Sequence, residues 1–156
     1  MKVFVDTSAL YALMVREDAH HRATQACFEQ LRFAEATLTS TNYILLECTS
    51  LIQRRHGFDA AKTFVAEAAA LLDLVWIEKA EHERATALWS QSGRRALSLV
   101  DCVSFDVMRR RGLRHAVTFD AHFREAGFEV LPHADRVAEP RGAYRTKTRM
   151  RRTHRA

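Results

Sequence analysis

The chain has 156 residues, 47% hydrophobic and 28% charged, which suits one globular domain with a sizeable core. No apolar run approaches the ~20 residues that cross a bilayer. The N-terminus enters Lys2-Val3-Phe4-Val5 without a signal-peptide pattern, so a cytoplasmic protein is expected. The net charge of +5 is unevenly placed: seven cations and no acid lie between Arg141 and Ala156, and removing those seven leaves −2 for residues 1–140.

In chain order, Val3-Phe4-Val5 reads as a buried strand, Ala9 to Val15 as a short helix and Ala19 to Phe33 as a longer one. Ala36 to Thr39 is a short strand, and Thr41 to His56 a helix that Gly57 stops. Phe58 to Leu72 is an alanine-rich helix, Leu74 to Ile77 a strand and Glu81 to Ser92 a helix. Ser98 opens a helix that ends at Arg111-Gly112. His115 to Phe119 is a strand, Ala121 to Ala126 a short turn of helix, and Glu129 to Leu131 the last strand. Short apolar strands alternating with helices imply a three-layer α/β/α sandwich around a mainly parallel sheet of about five strands. Residues 1–135 are expected to form that domain, and residues 136–156 a basic tail expected to be flexible. In such sheets ligands bind beyond the carboxyl ends of the strands, where strand order reverses.

Reactive groups fall at those places. Asp6 follows the first strand directly, Asp120 follows the strand ending Thr118-Phe119, and Asp101 lies in the first turn of the helix opened by Ser98. Each also suits a structural role. Asp6 and Asp120 fit helix N-caps, and Ser98-x-x-Asp101 resembles a capping box. Glu47 is less easily read that way, because Tyr43, Ile44, Leu45, Leu46, Cys48, Leu51 and Ile52 make its helix apolar nearly all round. An ionised carboxylate buried on such a helix costs on the order of several kcal/mol unless paired or metal-bound. No Lys or Arg lies within a turn to pair with it.

If Asp6, Glu47, Asp101 and Asp120 converge, they cannot all ionise without a cation. An all-oxygen set selects Mg²⁺ or Mn²⁺ over zinc. Zinc spacing is absent: His20 and His21 are adjacent and read as ordinary helix residues, and Cys27, Cys48 and Cys102 read as buried free thiols of a reducing compartment. A carboxylate cage at the open end of a parallel sheet suits phosphodiester hydrolysis.

Val5-Asp6-Thr7-Ser8-Ala9-Leu10, the helix from Asn42 to Ile52 around Glu47, and the run from Leu97-Ser98-Leu99-Val100-Asp101 through Thr118-Phe119-Asp120-x-His122-Phe123 to Gly127-Phe128 resemble a PIN domain of the VapC toxin type. The resemblance covers about residues 2–131. It implies that Asp6, Glu47, Asp101 and Asp120 ligate Mg²⁺, with Mn²⁺ able to substitute. It also implies that activated water cleaves RNA to 5′-phosphate and 3′-hydroxyl ends, with Ser8 and Thr118 supplying supporting hydrogen bonds. It further implies a cognate antitoxin protein that inserts into the site, and a homodimer. The tail departs from the compact pattern. Arg141, Arg145, Lys147, Arg149, Arg151, Arg152 and Arg155 suit a polyanion such as RNA, or equally a solvated end.

Two other readings are weaker. A phosphatase-type Asp-x-Asp motif fails because position 8 is Ser, and a receiver-type domain lacks its second acid at Thr7 and its lysine at Pro132. A solitary RNA-processing nuclease, or an RNA-binding module without activity, would share the fold.

Overall fold

The computed structural model describes residues 1–133. The expected boundary at residues 135/136 and all seven tail cations lie outside the described residues. Among the described residues, no helix is long and apolar enough to cross a membrane.

Five strands form one parallel sheet in the order β3-β2-β1-β4-β5. They are β1 (Lys2–Val5), β2 (Thr37–Thr41), β3 (Asp73–Val75), β4 (His115–Val117) and β5 (Glu129–Leu131). Seven helices join them: α1 (Thr7–Met14), α2 (His21–Phe33), α3 (Asn42–His56), α4 (Phe58–Leu71), α5 (Lys79–Ser92), α6 (Leu99–Arg110) and α7 (Ala121–Glu125). Helix α1 packs on α2 and α3, and α3 on α4, while α5 and α7 pack on α6. The result is the expected α/β/α sandwich.

Every strand and helix expected from the sequence is present, and the differences lie at their ends. The third strand stops at Val75 rather than Ile77. It is an edge strand, and the Ile77 amide leaves the ladder to donate to Asn42 Oδ1 at 2.9 Å. The fourth strand stops at Val117, because Thr118 and Phe119 turn toward the site described below. Gly57, at φ +92°, separates α3 from α4 in a backbone region costly for other residues.

Strand order reverses between β1 and β4: from β1 the chain builds outward to β2 and β3, then returns to lay β4 on the other side. The carboxyl ends of β1 and β4 therefore flank a crevice of the kind that binds ligands in open parallel sheets. The two strands are locked at that end. Val3, Phe4, Val5, Ala116 and Val117 are fully buried, the Asp6 amide donates to the Val117 carbonyl at 3.1 Å, and Ser40 Oγ donates to the Val5 carbonyl at 2.8 Å.

Phe123 fixes the element carrying Asp120. Its ring is fully buried and packs on Phe4 of β1 and edge-on against Phe105 of α6, with centroids 6.2 and 5.0 Å away. Truncating a buried Phe typically costs about 3–5 kcal/mol. Phe123→Ala should therefore lower the urea midpoint by an amount in that range when multiplied by the m-value. An unchanged midpoint would mean that α7 is not integral to the core.

Candidate active site

Asp6 is the N-cap of α1 and only 6% exposed. Its Oδ2 accepts the Ser8 hydroxyl at 2.7 Å, the Thr118 hydroxyl at 2.8 Å and, more weakly, the Ser8 amide at 3.3 Å. Each hydroxyl is held in turn from behind: Ser8 Oγ accepts the Phe119 amide at 2.9 Å, and Thr118 Oγ1 accepts the Asp120 amide at 3.0 Å. With both hydroxyl protons committed to Asp6, the 3.2 Å approach of Ser8 Oγ to Thr118 Oγ1 is a contact between acceptors. A chain of hydrogen bonds thus runs from the buried carboxylate through Thr118 to the backbone of Asp120.

Asp120 caps α7, its Oδ1 accepting the His122 amide at 2.9 Å. Asp101 is 9% exposed and forms a reciprocal capping box: Ser98 N donates to Asp101 Oδ2 at 2.8 Å, and Asp101 N donates to Ser98 Oγ at 3.0 Å. Asp101, Asp120 and His122 each offer a ligand atom within 4.8 Å of the others. His122 is the member of this group that sequence reasoning missed. Its signal was the Asp-x-His spacing at a helix start, where residue N2 turns back over the cap. His122 Nδ1 lies 2.9 Å from Asp120 Oδ1, an ion-pair distance. That nitrogen is nevertheless buried without an aligned hydrogen bond, and Oδ1 already receives the residue's own amide.

Glu47 requires a correction. The apolar run around it suggested burial, but the buried stripe of α3 is Ile44, Cys48 and Ile52, which leaves Leu46 68% exposed and Glu47 at the surface. The desolvation argument therefore fails, because one apolar stripe suffices to dock the helix and the other apolar side chains stay outside it. What locates Glu47 is Thr7, whose hydroxyl donates to Glu47 Oε2 at 2.6 Å. Thr7 follows Asp6 in the chain, so Glu47 is tethered at the same α1 N-terminus. Both charges also reach Cys48, a free thiol whose pKa is pushed up to about 12, first by burial and then by Glu47 and Asp6. That thiol is structural.

The capping readings of Asp6, Asp101 and Asp120 are thus all realised, and they do not compete with a ligand role. Among the described residues, each cap uses one carboxylate oxygen and leaves the other without a hydrogen bond. Asp101 and Asp120, each with an unengaged oxygen, beside the orphaned buried imidazole nitrogen of His122, are a donor set that fits a divalent cation. Asp6 and Glu47 lie outside that group of three and adjoin it through Thr118 and Thr7.

Burial pushes the Asp6 carboxyl above its ordinary value, against the downward pull of the Ser8 and Thr118 hydroxyls. In metal-free protein the fold therefore holds this proton more tightly than the unfolded chain does. The stability Asp6 contributes is fullest below the ordinary carboxyl pKa and is lost as pH rises through the raised folded value. In chelator, wild-type should gain stability relative to Asp6→Asn as pH falls from neutrality toward ~4, read as the difference between their urea midpoints. A difference independent of pH would show that Asp6 titrates as an ordinary carboxylate.

Comparison with known proteins agrees with this architecture. The family model described as PIN domain matches residues 3–129. The chain is 34% identical over 137 residues to the 23S rRNA-specific endonuclease VapC20 of Mycobacterium tuberculosis, covering 83% of this chain and 98% of the relative. The crystal structure of that organism's VapC20, a sarcin-ricin loop cleaving toxin, is similar with a TM-score of 0.72 at 30% identity, over 81% of this chain and 95% of the other. VapBC2 from Rickettsia felis, bound to a DNA fragment from its promoter, shares the fold with a TM-score of 0.64 at 10% identity, over 83% and 97% of the two chains. With four-fifths of its length matched by the family model, the chain belongs to the PIN domain family.

Proposed function

We propose that this chain is an endoribonuclease whose Asp6, Glu47, Asp101 and Asp120 form one phosphodiester-cleaving site, with Mg²⁺ as its cation and Mn²⁺ able to substitute. The observation that carries this reading is the hydrogen-bonded chain from Asp6 through Thr118 to Asp120, beside Asp101 and His122, at the point where strand order reverses. PIN nucleases use a divalent metal, and these side chains are the ones that would hold it. When bound, such an ion supplies charge neutralisation, orientation of a phosphate and polarisation of a water. The protein's own part is positioning. Ser8 and Thr118 hold Asp6 in one rotamer, Thr7 holds the more exposed Glu47 against the same helix start, and the Ser98 box fixes Asp101. Donors fixed before the substrate arrives need not reorganise during reaction. The expected products carry 5′-phosphate and 3′-hydroxyl ends.

The likeness to VapC20 also supports the toxin role, an RNA substrate and an antitoxin partner. A large-subunit rRNA loop is the first substrate to test. A cytoplasmic location and a homodimer complete the proposal, with exposed Leu46, Phe58 and Trp76 as apolar surface available to a second copy. Sedimentation of the pure protein tests the dimer.

Three measurements test the site. Millimolar Mn²⁺ should raise the Tm of wild-type protein, because a ligand held only by the folded state adds RT ln(1 + [L]/Kd); Asp6→Asn should respond far less. An equal response would place the ion elsewhere. Asp101→Asn can still accept the Ser98 amide, so it should cost at most about 1 kcal/mol of stability while losing most cleavage of the rRNA loop. Intact turnover would leave Asp101 a cap alone. Removing residues 141–156 should flatten the salt dependence of RNA binding. Each phosphate contact on a single strand contributes about −0.7 to the slope of log K against log salt, so four contacts would amount to roughly 3. Superimposable slopes would make the tail a bystander.

A further inference from the structure

His20 does something a loop histidine has no structural need to do. Its ring lies flat on that of Phe119, with centroids 4.0 Å apart and planes 12° from parallel. Phe119 sits between two residues of the site: Thr118, which donates to Asp6, and Asp120. The Phe119 amide itself donates to Ser8 Oγ. The stack is therefore fastened to the site by the backbone that organises it.

His20 is exposed, whereas Phe119 is half-buried. One face of the imidazole is covered by Phe119, so its exposure comes from the opposite face and the edges. The backbone that carries the ring is also held in place before any ligand arrives. The His20 amide donates to Asp18 Oδ1 at 2.8 Å, and the His20 carbonyl accepts both the Thr24 hydroxyl at 2.8 Å and the Thr24 amide at 2.9 Å, with Thr24 fully buried. On the next residue, His21 Nδ1 bonds the Ala12 carbonyl at 2.7 Å and ties the loop to α1. A flat ring, open on one face and backed by a second ring on the other, is a stacking platform. Nucleobases stack on such side chains without regard to base identity.

We infer that His20, backed by Phe119, is a shelf on which an unpaired base of the RNA stacks next to the scissile phosphate, making His20 a substrate-positioning residue. This rests on the nuclease reading of the neighbouring carboxylates. It adds that the substrate presents an unstacked nucleotide at that point, as single strands and loops do and continuous duplex does not. A ring held flat in advance loses little conformational freedom when the base arrives.

The test uses metal-free full-length protein, so that binding is read without cleavage. The probe is a short single-stranded RNA with one 2-aminopurine walked along its length, and a matched series with a single abasic position. Wild-type should quench 2-aminopurine at one position and bind the base-containing RNA about tenfold more tightly than its abasic counterpart there, within the range of base–aromatic stacking. His20→Ala should lose both the quenching and the discrimination with its Tm unchanged, and His20→Trp should restore both. Quenching and discrimination retained in His20→Ala would overturn the shelf while leaving the nuclease reading standing. Wild-type that quenches 2-aminopurine at no position would likewise overturn the shelf, and Mn²⁺-dependent cleavage of the same RNA scores the nuclease reading separately.

Discussion

The structure turns on the carboxylate of Asp6. A carboxyl group that is 6% exposed at the end of a fully buried strand carries a desolvation cost, and the fold offsets it with two hydroxyl protons aimed at a single oxygen. Those hydroxyls belong to α1 and to the segment leaving β4, so the compensation is also the stitch between the two halves of the chain. Without Ser8 and Thr118, β1 and β4 would still pair, but the segment from Thr118 to Asp120 would lose the anchor that sets its path. The other site groups follow from that anchor. The Asp120 amide is held by Thr118, and His122 by the Asp120 cap.

Capping and the proposed catalysis can share these carboxylates because their geometries overlap. A helix N-cap places a carboxylate in front of backbone donors with one oxygen engaged. The helix start also favours negative charge, by about 0.3–1 kcal/mol for an exposed group. Two such caps, Asp101 and Asp120, bring ligand atoms within 4.8 Å of each other and of His122, and Asp6 is linked to the Asp120 backbone through Thr118. Ionised together without a cation, carboxylates in such an arrangement would repel one another. A cation held in the proposed site would remove that repulsion, so metal affinity and apo stability would be coupled.

Much of this was legible in the sequence, and the illegible parts have physical causes. Short strand-like segments of three to five residues flanked by helix-period segments marked all five strands, and Asp6 and Asp120 could be placed because they immediately follow such segments. Glu47 was singled out for a reason that does not hold. Helix α3 is apolar on more faces than it buries, and composition cannot say which face docks. Only the contact between Thr7 and Glu47, forty residues apart in sequence, locates that carboxylate. His122 and the His20–Phe119 stack were missed because neither has a periodic signal: one is a local turn over a cap, the other a contact across the fold. Strand ends at Val75 and Val117 fell short of expectation where backbone amides found side-chain partners instead of a ladder.

The central claim is that carboxylates from four separate segments share one divalent cation. Anomalous diffraction from a Mn²⁺-soaked crystal tests it most directly. A single strong region of anomalous density is expected, bounded by the oxygens of Asp6, Asp101 and Asp120, with Glu47 and His122 at its edge, and absent from an Asp6→Asn crystal soaked identically. Density that avoids these carboxylates, or that persists unchanged in Asp6→Asn, would contradict it.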